Sequence, residues 1–149
     1  MKKEYLDLAF EMAQKAYNLN EVPIGAVIVK DDIILASTYN SKEKDMCCTS
    51  HAEILAIEEA SKKIHNWRLE NCDIYITLDP CPMCASAIKQ SRIKNVYSAL
   101  NNSDEDNLKI ITQIFKNDKV NPEVHFESNL CVDKSKKMLN SFFEKQRNN

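Results

Sequence analysis

The chain has 149 residues, of which 44% are hydrophobic and 28% charged, and its formal net charge is −2. This size suits one domain spanning residues 1–149 and leaves little room for two. No apolar run approaches the ~20 residues that cross a bilayer, and the charged start is unlike a signal peptide, so we expect a cytoplasmic protein without a membrane span. The net charge gives no general attraction for nucleic acid, so phosphate binding would need a local basic patch.

The first third of the chain predicts a helix, a hairpin and a second helix. An apolar stripe from Leu6 to Tyr17 recurs at helical spacing. Two β-rich runs follow at 24–29 and 33–39, and the short polar stretch between them predicts a tight turn. A polar loop from Asn40 to Ser50 then leads to the second helix. Ser50 is its predicted N-cap, because the serine hydroxyl can accept a first-turn N–H.

The rest of the chain continues the alternation of strands and helices. A helix between two strands favours a right-handed parallel crossover, so this order predicts an α/β fold. We expect a three-layer α/β/α sandwich around a five-stranded mixed sheet. The predicted segments are strands at 73–78, 95–100 and 123–128 and helices at 79–91, 108–115 and 134–146.

Three zinc-competent side chains are predicted at helix starts. His51 begins one helix, and Cys81 and Cys84 form a C-x-x-C pair at the start of another. Such a pair places its sulfurs about one turn apart, and the positive helix N-terminus favours thiolates. Three protein donors leave the fourth tetrahedral position for water, as in catalytic zinc sites, where the pKa of water falls toward ~7. Glu53, close after His51, is then the predicted proton shuttle.

Each of these residues also has a simpler interpretation. A C-x-x-C pair after a strand is also typical of thioredoxin-like redox sites, Glu53 suits the dipole of any first turn, and a lone histidine is often structural. None of these explains the His-x-Glu and the cysteine pair together, so we prefer the zinc interpretation. Cys47 and Cys48 could compete as ligands, but two loop thiols are more often spectators.

The motifs His51-Ala52-Glu53 and Pro80-Cys81-Pro82-Met83-Cys84 together resemble those of the zinc-dependent cytidine and nucleotide deaminase superfamily. The similarity extends over most of the chain to the bacterial tRNA adenosine deaminases, which convert the wobble adenosine of tRNA to inosine. The segments that carry it are 21–29, 51–57, 66–88, 91–97 and 139–147.

The resemblance implies a cytidine deaminase-like fold, a bound zinc ion and a homodimer with active sites near the subunit interface. It also implies hydrolytic loss of ammonia from C6 of a flipped-out adenine in the tRNA anticodon arm. By the same resemblance, Asn40 would hydrogen-bond the base, and the backbone around Leu78, Asp79 and Pro80 would hold the leaving amine.

The chain departs from this family after Tyr97. The family usually continues with a glycine-rich stretch that meets RNA, whereas residues 98–106 contain no glycine and include three consecutive acids at 104–106, which should repel phosphate. Asn101 stands where the family has an aspartate at the sugar contact. We therefore expect Asn101 to contact substrate and to discriminate less between ribose and deoxyribose. Gly25 is the only glycine, so positions with positive φ should fall on Asn and Asp.

Two basic segments are candidates for phosphate contacts. Residues 131–149 carry five basic and two acidic side chains, and residues 86–100 carry Lys89, Arg92 and Lys94 without an acid. From charge alone, two solvated faces are the simpler explanation.

Three functions compete on the sequence. The first is adenosine-to-inosine editing of tRNA by a zinc hydrolase. The second is a small-molecule deaminase of the guanine or cytosine class that acts on a free base, a nucleoside or deoxycytidylate. The third is a catalytically silent scaffold subunit, which would not need Glu53.

Overall fold

The elements alternate along the chain in the predicted order. The structure, a computed structural model, describes residues 1–102 and 104–149; Ser103, in the glycine-free stretch, lies outside the described residues. The elements are α1 (Lys3–Asn18), β1 (Gly25–Lys30), β2 (Ile33–Tyr39), α2 (Lys42–Asp45), α3 (Ala52–Ile64), β3 (Asp73–Ile76), α4 (Pro82–Gln90), β4 (Asn95–Ser98), α5 (Glu105–Phe115), β5 (His125–Glu127) and α6 (Val132–Arg147).

One part of the predicted order is wrong. The segment expected to be a plain loop, residues 40–50, contains the single helical turn α2. Four residues are too few to show helical periodicity, so no pattern in the sequence could have marked this turn. None of the described helices is both long and apolar enough to span a bilayer.

The strands form the predicted five-stranded mixed sheet. Their order is β2-β1-β3-β4-β5. Strand β1 runs antiparallel to both β2 and β3, whereas β3, β4 and β5 are mutually parallel. The parallel pairs are connected through α4 and α5, as expected for crossovers.

Helices cover both faces of the sheet, which confirms the three-layer architecture. Successive residues of β1 point to opposite faces. Ala26 and Ile28 belong to one core cluster with residues of α3, α4 and α5, and Val27 and Val29 belong to a second cluster with residues of α1 and α6. The two clusters are therefore the two interfaces between sheet and helices.

Gly25 lets α1 pack directly against β1. A Cβ atom at Gly25 would lie 1.9 Å from the carbonyl oxygen of Ala9 and 2.8 Å from the amide nitrogen of Ala13. Both neighbours are backbone atoms, so no side-chain movement could relieve the overlap. The one glycine of the chain serves close approach rather than a turn.

Positive φ angles fall mainly on the residue types expected. Asp31 and Asp32, with φ of 50° and 62°, form the two-residue turn between β1 and β2, in which both central residues need positive φ. Among the described non-glycine residues with positive φ, the Asn and Asp members are Asn20, Asp31, Asp32, Asn71 and Asn129, and the others are Met46, His65 and Arg92.

Candidate metal centre

Three potential metal donors converge where two helices begin. His51 is the N-cap residue of α3, Cys81 is the N-cap residue of α4, and Cys84 lies in the first turn of α4. The Nδ1 atom of His51 lies 3.7 Å from Sγ of Cys81 and 3.5 Å from Sγ of Cys84. All three donor atoms lie within 4.8 Å of one another. Residues distant in sequence thus form one compact group.

The predicted serine cap of α3 is wrong by one position. His51 itself is the N-cap residue, and it makes no side-chain capping bond. Its imidazole instead faces the two sulfur atoms. Ser50 is buried, and its carbonyl oxygen accepts a hydrogen bond from the Ser41 amide at 3.0 Å. Ser50 therefore anchors the turn that contains α2.

The thiols of Cys81 and Cys84 differ in pKa. The hydrogen bond from Cys84 lowers the pKa of Cys81 to about 5, whereas the same pairing and burial raise the pKa of Cys84. A thiolate at Cys81 is thus available at neutral pH. One imidazole nitrogen and two sulfurs are the donor types that zinc prefers, and three protein donors are typical of catalytic zinc sites. The donor set fits zinc.

Glu53 lies beside these donors in the first turn of α3. Its side chain is only 4% exposed, and burial raises its pKa to about 7. The carboxyl group also hydrogen-bonds the Cys84 thiol. A buried carboxyl group with a pKa near neutrality can both accept and return a proton, which is the property required of an acid–base group.

Asn40 offers an unused acceptor. The residue is buried, and its Nδ2 donates to the carbonyl oxygen of Val22 at 3.3 Å. Its Oδ1 is buried without a hydrogen-bond partner among the described residues. An unpaired buried acceptor costs free energy unless a ligand donates to it. A ligand with a hydrogen-bond donor would satisfy this oxygen.

The segment Leu78–Pro80 connects β3 to the cysteine pair and is fixed from several directions. The amide of Asp79 donates to the carbonyl oxygen of Leu100 at 2.8 Å, and the Pro80 carbonyl accepts from Nδ2 of Asn107 at 3.4 Å. The Ser128 hydroxyl donates to Oδ1 of Asp79 at 2.5 Å. Burial raises the pKa of the Asp79 carboxyl group. These contacts hold in place the backbone that leads into Cys81.

The acids after Asn101 have a structural role that the sequence analysis missed. Asp104 is the N-cap of α5, and its carboxylate accepts from the amides of Asp106 and Asn107. Glu105 and Asp106 follow in the first turn, where the helix dipole favours negative charge. An aspartate directly before a helical pattern is a known cap signal and could have been recognised. Asn101 itself is half-buried, and its amide donates to Oδ1 of Asn129 at 2.8 Å.

The other cysteines lie outside the donor group. Cys47 and Cys48 are exposed, and Cys47 pairs with the Thr49 hydroxyl at 3.2 Å. Cys72 is buried in the core, and Cys131 is half-buried. Within the described part of the chain, only His51, Cys81 and Cys84 form a group of this kind.

The two basic segments differ in exposure. The basic side chains of α6 are exposed, with the ammonium group of Lys134 over the Phe10 ring at 4.5 Å. Lys89, expected on a solvated face, is buried, and its ammonium group donates to the Lys116 carbonyl oxygen. That expectation is wrong for Lys89, because the connection after α5 covers its side chain.

Comparison with known proteins gives full-length matches. The model of the MafB19-like deaminase family matches residues 1–147. The tRNA-specific adenosine deaminase of Aquifex aeolicus is 37% identical over 100% of this chain and 99% of its own length. A solved structure from a study of A-to-I editing by tRNA:A34 deaminases is 31% identical, with a TM-score of 0.85 over 93% of this chain and 100% of that one. A guanine deaminase from Bacillus subtilis is 30% identical, with a TM-score of 0.67 over 100% of this chain and 96% of that one.

Proposed function

This chain belongs to the MafB19-like deaminases and, within them, to the tRNA-specific adenosine deaminases; from this premise we propose that it is a zinc hydrolase that converts the wobble adenosine of tRNA to inosine. The observation that carries the proposal is the group formed by His51, Cys81 and Cys84, with the buried Glu53 beside it. We further propose that residues 1–149 act as one deaminase domain.

The metal ligands proposed are His51, Cys81 and Cys84. A zinc ion held by these donors would supply a water nucleophile at neutral pH, since zinc lowers the pKa of water toward ~7. The low pKa of the Cys81 thiol, about 5, supports this role because a ligand cysteine must be a thiolate.

Glu53 is the proposed proton carrier. Its carboxylate accepts a proton from the attacking water and gives a proton to the amino group that leaves C6, so that adenosine and water become inosine and ammonia. The pKa of about 7 that burial gives Glu53 matches both transfers, because efficient acid–base groups titrate near the working pH. Burial in the first turn of α3 keeps the carboxyl group beside the metal donors.

Substrate recognition is assigned to three places around this centre. The unpaired Oδ1 of Asn40 would accept a hydrogen bond from the target base, which its lack of another partner supports. The backbone of Leu78, Asp79 and Pro80 would hold the leaving amine, and the contacts of Asp79 with Leu100 and Ser128 keep that backbone in position. Asn101, on the neighbouring loop, would contact the sugar.

A tRNA substrate also leads us to expect phosphate contacts, a homodimer and a cytoplasmic location. The exposed basic side chains of α6 would contact phosphates of the anticodon arm, and an exposed loop lowers the cost of flipping out its target base. We also propose a homodimer, since the family resemblance implies active sites near a subunit interface. The cytoplasm is the expected location, because the relative compared above is bacterial and its substrate is tRNA.

The test is deamination by purified, zinc-loaded protein. The substrate is an anticodon stem-loop with adenosine at the wobble position, and inosine in the RNA is measured. Parallel reactions contain free adenine, guanine, cytosine or deoxycytidylate, with ammonia release as the readout. Inosine in the RNA alone is the expected result.

The alternative outcome of this test is a small-molecule deaminase, since the fold is also similar to that of a guanine deaminase. If ammonia came only from a free base or deoxycytidylate, the metal centre and Glu53 would keep their roles and the tRNA assignment would be wrong. The RNA arm therefore tests the substrate separately from the chemistry.

A further inference from the structure

Away from the metal centre, one surface collects cations around the single tryptophan of the chain. Trp67 lies between α3 and β3 and is 52% exposed. The guanidinium carbon of Arg68 lies 4.3 Å from the centre of the Trp67 ring, and that of Arg92 lies 5.5 Å from it. Together with Lys119, these residues are called the tryptophan patch below.

A cavity of about 590 Å³ opens at this patch. Arg92 and Lys119 supply positive charge to its lining, and Oδ1 of Asn121 is a buried acceptor without a hydrogen-bond partner among the described residues. Asp118 is the acid in the lining, and its carboxylate accepts from the amides of Val120 and Asn121 at 2.7 Å each, so the two cations leave the lining with a net positive charge.

The two arginines have no acidic partner in the described part of the chain. Both guanidinium groups make cation–π contacts with the Trp67 ring, and no carboxylate lies within 4.0 Å of either one as an ion pair. Arg92 also has a φ of 69°, which non-glycine residues adopt at a cost. A phosphate would supply the missing counter-charge, and the planar guanidinium group matches its oxygens in two parallel hydrogen bonds.

We propose that the tryptophan patch binds the phosphate backbone of the tRNA substrate. The inference rests on the proposed function, because it takes tRNA as the ligand. Helix α4 links the two sites: its N-terminal end carries Cys81 and Cys84, and Gln90 at its other end lines the cavity. The nine residues of α4 separate them by about 14 Å. The metal centre and the patch therefore lie at the two ends of one helix, a separation shorter than a folded tRNA.

The charge distribution favours RNA over a neutral partner. The whole chain has a net charge of −2, so a group of three unpaired cations is a local feature rather than part of a general basic surface. The exposed indole adds a face on which an unpaired base can stack. Aromatic and arginine side chains also occur in protein interfaces, so contact with a second copy of the chain is the competing outcome that the experiment must separate.

Trp67 provides a direct readout, because the chain has no other tryptophan. Zinc-loaded full-length protein is titrated with tRNA, with adenosine nucleoside and with inorganic phosphate, while tryptophan fluorescence is recorded. We expect tRNA to change the emission at low concentration, adenosine to leave it unchanged, and phosphate to act only at much higher concentration. No response to tRNA would overturn the proposal, and an equal response to free phosphate would reassign the patch to a small anion.

Charge removal provides the second arm. The variant R68Q/R92Q keeps polar side chains of similar length, and K3Q/K15Q removes two exposed charges from α1 as a matched control. We expect R68Q/R92Q to weaken tRNA binding about tenfold at physiological salt and to reduce the slope of log K against log salt by about 1.8, with no change in the control. The rate at saturating stem-loop should be unchanged, since neither arginine lies in the metal centre. Equal affinity and slope, or an equal loss in the control, would refute the inference.

Binding and turnover separate the two proposals. If tRNA binds and changes the Trp67 emission but no inosine forms, the proposed function fails and the patch assignment stands. If inosine forms while R68Q/R92Q binds tRNA like the unmodified chain, the patch assignment fails alone. A change in sedimentation of R68Q/R92Q without a change in salt slope would identify the patch as a contact between copies and overturn the RNA assignment.

Discussion

Replacing Gly25 with alanine should destabilise the fold and disturb the candidate site together. The added Cβ would lie 1.9 Å from the Ala9 carbonyl oxygen, so α1 and β1 must separate. Overpacking a filled core typically lowers the free energy of unfolding by about 1–3 kcal/mol. Because the overlap here is with backbone atoms, we expect a loss of about 3 kcal/mol. For a chain of this size that loss lowers Tm by about 6–12 °C.

The G25A substitution should also disturb the candidate site, because Gly25 is hydrogen-bonded to Thr77, directly before the segment Leu78–Pro80. Its amide donates to Oγ1 of Thr77 at 3.2 Å, its carbonyl oxygen accepts from the Thr77 amide at 3.2 Å, and the adjacent Ile24 carbonyl accepts from the Asn40 amide at 3.0 Å. We therefore expect a higher KM for the stem-loop in G25A even at temperatures where the variant is folded.

The assay is urea unfolding and thermal unfolding of the G25A protein, with S37T as control. Ser37 is partly exposed on β2, so one added methyl group there should change the free energy of unfolding by less than about 0.5 kcal/mol. Adding Ala9→Gly to G25A should not restore stability, since the overlap involves the backbone of Ala9. A G25A protein within 0.5 kcal/mol, roughly, of the unmodified chain would refute the close packing of α1 on β1.

The other predictions concern the candidate site. Glu53→Ala should lower deamination by at least ~100-fold while zinc content and Tm are kept, and activity near that of the unmodified enzyme would contradict its role as proton carrier. His51→Ala and Cys81→Ser should each lose zinc, measured by elemental analysis, and unfold at lower temperature, because metal binding stabilises the folded state; Cys131→Ser is the matched control that should retain zinc, and full occupancy in the first two variants would exclude their ligand role. Asn101→Asp should raise the ratio of rates on matched RNA and DNA hairpins, and an unchanged ratio would remove Asn101 from the sugar contact.

Local patterns in the sequence predict much of this fold. The apolar runs of β1 and β2 and the stripe of α1 are long enough to show their period, and the Asp31-Asp32 turn is of a recognisable type. The metal donors could be predicted as a set because a motif places them at helix starts. The four-residue helix α2 was missed because it is shorter than the repeat that would reveal it.

Contacts between distant segments could not be predicted in the same way. The number of basic residues in 86–100 suggested that Lys89 is exposed. The residues next to Lys89 in sequence do not show that it would be buried and that its ammonium group would donate to the carbonyl oxygen of Lys116. The bond from Ser128 to Asp79 joins residues 49 positions apart and leaves no periodic trace. His51 holds the N-cap position of α3 without a side-chain capping bond, so cap preferences could not identify it.

The strand order also determines when the metal donors can meet during folding. His51 follows β2 at the edge of the sheet, whereas Cys81 follows β3 at its centre, so the donors come together only after β1 has paired with β3. That pairing joins Ala26 to Ile76 and closes a long loop, which is a slow, late type of contact. A chain emerging from the ribosome would therefore have no complete donor set until β3 and the start of α4 had left it. The candidate donors therefore all lie before β4, and their meeting depends on pairing within β1, β2 and β3 and not on the last third of the chain.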